Sequence, residues 1–185
     1  MDRKKNRGSA IAGVIFVLAL VGIGVGVFFF IRARKYDPGT FENGTYSNKW
    51  AGIKFTAPEG FTYGSQEQDG ETFYYFTKEN SGVVIVTSNV RTDVDEGLEE
   101  LKATLMGATA YSAKLGVKMD VKETSSKMIA GKSYKYIQIQ MSAGGYTAYF
   151  DLYGRKVHGN GFIVFGVVST SLSGIDSIVN NFKKY

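Results

Sequence analysis

The chain has 185 residues, one histidine, no cysteine and a net charge of +5 at neutral pH. Disulfides, thiol catalysis and cysteine-ligated zinc are therefore excluded, and a lone histidine cannot build the common histidine-rich metal sites. The charge is uneven: residues 1–45 hold seven Lys/Arg against three Asp/Glu, whereas residues 46–185 hold 15 against 14, so the concentrated basic surface of a nucleic-acid-binding domain is not expected beyond residue 45.

Residues 1–9 carry Arg3, Lys4, Lys5 and Arg7, and residues 10–31 form an unbroken run of 22 uncharged, mostly apolar residues. As a helix that run is about 33 Å long, enough to cross a hydrocarbon core of roughly 30 Å. It exceeds the apolar region of a cleaved signal peptide. It also ends in Phe28, Phe29, Phe30 and Ile31 before Arg32, where a cleavage site needs small residues. The segment reads as a retained transmembrane helix. The basic residues before it and the large mass of chain after it predict a short cytoplasmic N-terminus and an exported C-terminal domain. A cysteine-free exported domain fits a bacterial surface, Gram-positive in particular. Gly22 and Gly26 form a GxxxG pair, the candidate contact of a homodimer through the membrane helix. Arg32, Arg34 and Lys35 follow the run and suit anionic lipid headgroups.

Residues 32–45 read as a juxtamembrane linker with turn signals at Asp37-Pro38-Gly39 and Asn43-Gly44. From Tyr46 the pattern turns to strands. Residues 53–57 alternate and stop at Pro58-Glu59-Gly60, and the aromatic and β-branched runs 71–77 and 82–90 flank residues 78–81 as a β-hairpin would. Leu98, Leu101, Leu105, Ala108, Ser112 and Leu115 then recur at spacings of three and four, which predicts an amphipathic helix. Asp93 and Glu96 stand as its capping box and Gly116 as its stop. Strands are expected again over 117–124, 134–142, 146–153 and 162–169, with Ala143-Gly144-Gly145 as a tight connection. In the second of these Ile137, Ile139 and Met141 share one face, and Tyr136, Gln138 and Gln140 the other; residues 162–168 are apolar on both faces, as in a central strand. Ser173 is the expected N-cap of a closing helix that lines up Ile175, Ile178, Val179 and Phe182, with Lys183 and Lys184 at its C-terminal end. The order predicts one α+β domain over residues 46–185, a mainly antiparallel sheet flanked by helices.

Three stretches carry a family resemblance: residues 46–61 with their Pro58-Glu59-Gly60-Phe61 turn, Ile129-Ala130-Gly131-Lys132 before a long strand, and residues 162–182. With the element order, they resemble the PsbP-like superfamily. The resemblance implies an α/β/α sandwich and, loosely, a non-catalytic, partner-binding role; it supplies no shared site motif from which functional residues carry over.

Two residue groups are candidates for binding. His158 sits with Arg155 and Lys156 in the glycine-flanked stretch 154–161, which reads either as an anion-contacting loop or general base, or as a solvated hairpin connection. Tyr149 and Tyr153 read either as an exposed platform for glycan or protein, or as cross-strand pairs under the flanking helices. No phosphate-binding loop, GxSxG or dinucleotide fingerprint occurs, and no cofactor is expected. The expected function is a membrane-anchored, extracytoplasmic binding or assembly module of a bacterial cell envelope, not an enzyme, with an unidentified envelope or membrane protein as partner. The alternatives are an envelope hydrolase using two carboxylates and a ligand-sensing domain acting through a membrane partner.

Overall fold

The computed structural model describes residues 37–68, 71–88, 94–114, 116–122, 124–157 and 161–185. The apolar run 10–31, with Gly22 and Gly26, lies outside the described residues, as do Asp93, Leu115 and His158. Among the described residues no helix is long and apolar enough to cross a membrane.

In chain order the strands before the first helix are β1 (Thr40–Glu42), β2 (Thr45–Asn48), β3 (Ile53–Thr56), β4 (Thr62–Gln68), β5 (Glu71–Lys78) and β6 (Ser81–Ser88). Helix α1 (Val94–Lys114) follows, then β7 (Lys118–Val121), β8 (Ser125–Ile129), β9 (Lys132–Ala143), β10 (Tyr146–Lys156), β11 (Phe162–Ser169), α2 (Leu172–Val179) and β12 (Phe182–Lys184). A large sheet runs β4-β5-β6-β11-β10-β9-β7, with β8 also paired to β9, and a small sheet runs β1-β2-β3-β12. All pairings are antiparallel.

The hairpin β5–β6 forms as its sequence predicts, with Lys78 opposite Ser81 and Glu79 in a left-handed conformation at φ 47°. Gly144 and Gly145 take φ 59° and 84° between β9 and β10, the two positive angles that a tight hairpin turn demands. Strand β11 is buried along its whole length between β6 and β10, as expected of a strand apolar on both faces. Gly116, at φ 75°, closes α1: its N–H donates to the Ala113 carbonyl and the next N–H, of Val117, donates to Ser112. That pair of bonds is a Schellman motif.

Period-two alternation divides the large sheet into two cores. Ile137, Ile139, Met141, Phe150, Leu152 and Val164 face α1, which contributes Leu98 and Leu101. The opposite face carries Tyr134, Tyr153, Phe165 and Val167, and meets the small sheet through Tyr46, Ile53, Phe55 and Phe182 and α2 through Ile175, Ile178 and Val179. The second face is therefore covered by a four-stranded sheet as well as a helix, not by helix alone as a plain α/β/α sandwich would have it. Aromatic rings join the layers in a continuous series. Tyr136 stacks on Tyr153, Tyr153 on Phe165 and Phe165 on Phe182, with centroids 5.2, 4.9 and 4.2 Å apart; Phe182 then meets Phe55 at 4.6 Å and Phe55 meets Phe76 at 4.7 Å. Each such pair adds about 1 kcal/mol beyond simple burial, which suits a domain without disulfides.

The chain end departs from expectation. The N-cap of α2 is Ser171, whose hydroxyl accepts from Gly174 N at 3.0 Å, not Ser173. The helix stops at Val179, and Phe182 lies opposite Phe55 on β12, not on a helical face. Lys183 and Lys184 are accordingly strand residues. At the other end β1 pairs with β2 inside the stretch that reads as linker, so the fold reaches back to Asp37.

Candidate anion-binding site

One end of the small sheet forms a pocket. Its floor begins at Asn48, a fully buried side chain that closes the β2–β3 turn: Oδ1 accepts from Ala51 N at 2.7 Å, and Nδ2 donates to the Tyr46 hydroxyl and the Asp37 carbonyl, both at 3.0 Å. Thr87, at the end of β6, donates to the same Asp37 carbonyl at 3.1 Å. Burial pushes the Tyr46 hydroxyl well up from its ordinary range, while the Asn48 bond pulls it down. Gly52 holds φ 69° in this turn, and its carbonyl accepts from Tyr185 N at 3.2 Å, which fastens the last residue beside the turn.

Arg155, at the end of β10, locks the large sheet onto this turn. Its Nη2 donates to the Ala51 carbonyl and Nη1 to the Lys156 carbonyl, and the guanidinium lies 5.2 Å from the Tyr134 ring centroid. The ring face attracts the cation. Burial pushes the Tyr134 hydroxyl up, against the pull of the Arg155 charge. Carbonyls and a ring hold Arg155, and its buried Nε has no acceptor among the described residues. Among the described residues no carboxylate pairs with Arg155.

Around these anchors Lys49, Trp50, Ala51, Gly52, Lys132, Arg155, Lys156, Val157, Lys184 and Tyr185 enclose a cavity of about 340 Å³. Five of the lining residues are cationic and none is acidic. Lys49, Lys132, Lys156 and Lys184 are exposed, and Trp50 is half-buried. An anion in a space of this size sits within about one Debye length of all five charges at physiological salt. A domain close to neutral overall thus concentrates a third of its 15 cations at one opening. The carboxylates of Glu96, Glu99 and Glu100 at the start of α1 belong to the other face of the large sheet.

Of the sequence candidates, Arg155 and Lys156 enter this pocket, and His158 lies outside the described residues. Tyr153 is corrected from platform to core: it is 0% exposed, stacked between Tyr136 and Phe165, with its hydroxyl donating to Asp151 Oδ2 at 2.7 Å. Tyr149 is half-buried against the same core, so the two tyrosines offer no joint surface. Lys49, Trp50, Lys132 and Lys184 escape a linear reading because they stand 24 to 107 residues away from Lys156, and only the fold gathers them. The one local signal is a lysine beside the only tryptophan in a turn.

Carboxylate chemistry has its nearest approach in Asp151 and Asp176. Asp151 is 2% exposed, and its two oxygens accept from Gln138 Nε2 at 3.0 Å and from the Tyr153 hydroxyl. Burial pushes its carboxyl above the usual range, against those hydrogen bonds and the Lys127 charge. Asp176 is exposed and paired with Lys127.

No protein-family model and no curated protein matches the sequence. Solved structures similar to it include the following two. The cyanobacterial PsbP protein CyanoP of Synechocystis sp. PCC 6803 is 13% identical, with 82% of this chain and 98% of that one covered and a TM-score of 0.49. LpqN of Mycobacterium tuberculosis, a protein involved in cell envelope biogenesis, is also 13% identical, with 80% and 85% covered and a TM-score of 0.44.

Proposed function

We propose that this chain is a single-pass, membrane-anchored and non-catalytic binding module of a bacterial cell envelope, with its folded domain outside the cytoplasmic membrane. The observation that carries the reading is the pocket of five cationic side chains without an acidic one. Fixed positive charge and ready donors suffice to hold an anion. Catalysis also needs a nucleophile or an acid–base pair within reach of the ligand. The described lining has lysine, arginine, tryptophan and tyrosine side chains but no carboxylate or imidazole to pair with them as an acid–base couple, which favours holding an anion over transforming it. The sealed Asp151 and the ion-paired Asp176 likewise favour a binder over a hydrolase that works with two carboxylates across a cleft.

The anchor rests on residues 10–31, whose length suits a bilayer crossing, and the orientation rests on the basic residues before them. Gly22 and Gly26 are the proposed contact where two such helices meet. Fusions to the C-terminus test the placement. A reporter enzyme active only in the cytoplasm is expected to be silent, and one active only outside is expected to work. The opposite pattern overturns the proposed topology.

A further inference from the structure

We propose that the five-cation pocket is a receptor for the headgroup of an anionic phospholipid in the membrane that anchors the chain. The inference rests on the anchor reading above and adds to it a ligand and an orientation.

The reach of the chain is the first argument. The carbonyl of Asp37 is fixed to the domain by Asn48 and Thr87. Only residues 32–36 separate it from Ile31, the last residue of the apolar run. Six residue steps span at most about 20 Å. The end of the domain that carries Asp37 is therefore held close to the lipid surface, whatever path the chain takes.

The register shows which end that is. Thr40 pairs with Ser47, and Asn48 with Ile53, which in turn pairs with Lys184. The start of β1, the β2–β3 turn and the end of β12 thus lie at one end of the small sheet. Asn48 touches Asp37 with one side-chain nitrogen and holds the Lys49–Gly52 turn with its oxygen. The pocket is at the tethered end of the domain.

The chemistry of the opening fits the surface it meets. Lysines near an anionic leaflet gain about five-fold in affinity each. Trp50 and Tyr185 line the same opening, and both residue types favour the headgroup level of a bilayer. A cavity of about 340 Å³ falls in the range for small ligands and accommodates a phosphodiester with a small polar substituent.

Trp50 is the only tryptophan and reports on the pocket directly. The full chain is reconstituted in nanodiscs of phosphatidylcholine alone, or with phosphatidylglycerol added, and quenching of Trp50 by acrylamide is measured. The expected result is about a two-fold fall in quenching with the anionic lipid, removed by salt at about 1 M. A triple variant, K132Q/K156Q/K184Q, is expected to lose that protection while keeping its melting curve, because all three lysines are exposed. K114Q/K118Q, exposed and outside the pocket, is expected to keep it. Equal quenching in both kinds of disc overturns the proposal, as does protection that persists in the triple variant. Full protection by soluble glycerol phosphate in phosphatidylcholine discs also overturns it, because the pocket then serves a free phosphate. A chain that does not co-elute with the discs overturns the anchor reading and this inference together. A chain that co-elutes without Trp50 protection overturns this inference alone.

Discussion

Asp151 shows how a single buried charge is carried by this fold. Its carboxyl titrates above its ordinary value because burial outweighs the bonds from Tyr153 and Gln138 and the pull of Lys127, with Asp176 raising it further. The folded state therefore binds this proton more tightly than the unfolded chain does. The sign follows: its contribution to stability is greatest below the ordinary carboxylate range and is lost as pH rises through the folded value. Asp151→Asn keeps an acceptor for the Tyr153 hydroxyl and removes the charge. Thermal melts of the variant are expected to lack the decline attributable to this group as pH rises above the ordinary carboxylate range, with stability at neutral pH equal to the parent or higher by about 1 kcal/mol. An unchanged pH slope in the variant, with a loss of several kcal/mol, contradicts the account. None of this is visible in the sequence, where Asp151 is one of 17 acidic residues in the chain. The burial of Asp151 comes from α2 and the small sheet closing over one face of β10, contacts made by residues far apart along the chain.

Among the elements, α1 was the most legible, because a 3.6-residue stripe, a glycine stop and a length of 21 residues all point the same way. Its packing is testable at two positions. Leu98 is 2% exposed and faces Ile139, Phe150 and their neighbours, so Leu98→Ala is expected to cost about 3 kcal/mol in a urea titration. Gly107 lies within the same helix, and a Cβ there meets no atom within 4 Å, so Gly107→Ala is expected to stabilise by up to about 1 kcal/mol. Loss of stability in the second variant would mean that the outer face of α1 is covered. The long central strands were equally legible from alternation and apolar runs. The short edge strands β1, β4, β8 and β12 were not. Three to seven residues with polar or mixed composition carry little periodicity, and pairing with a neighbour makes them strands. Phe182 illustrates the ambiguity: it falls in step with Ile175, Ile178 and Val179 on a helical wheel, yet its ring is held by Phe55 and Phe165 on β12.

At the scale of the whole molecule, the cationic pocket lies at the end of the domain where the proposed tether joins it. Counting charges located the basic excess in residues 1–45 and left the remainder near neutral. That sum hides a local asymmetry, because a neutral total says nothing about where the fold puts each sign. Arg155 and Lys156 stand in a short stretch that reads either as an anion-contacting loop or as a solvated hairpin connection, and both line the pocket. Their partners arrive from the β2–β3 turn, the turn before β9 and the end of β12. On the proposed anchoring, the covalent path through Asp37 turns the assembled pocket toward the membrane. The measurement that bears most directly on this account is quenching of Trp50 by lipids carrying a nitroxide at the headgroup, with the full chain in nanodiscs. If the tethered end faces the bilayer, these lipids quench Trp50 strongly. Emission that is the same with and without the nitroxide lipid would show that the pocket end points away from the membrane, and would contradict the account.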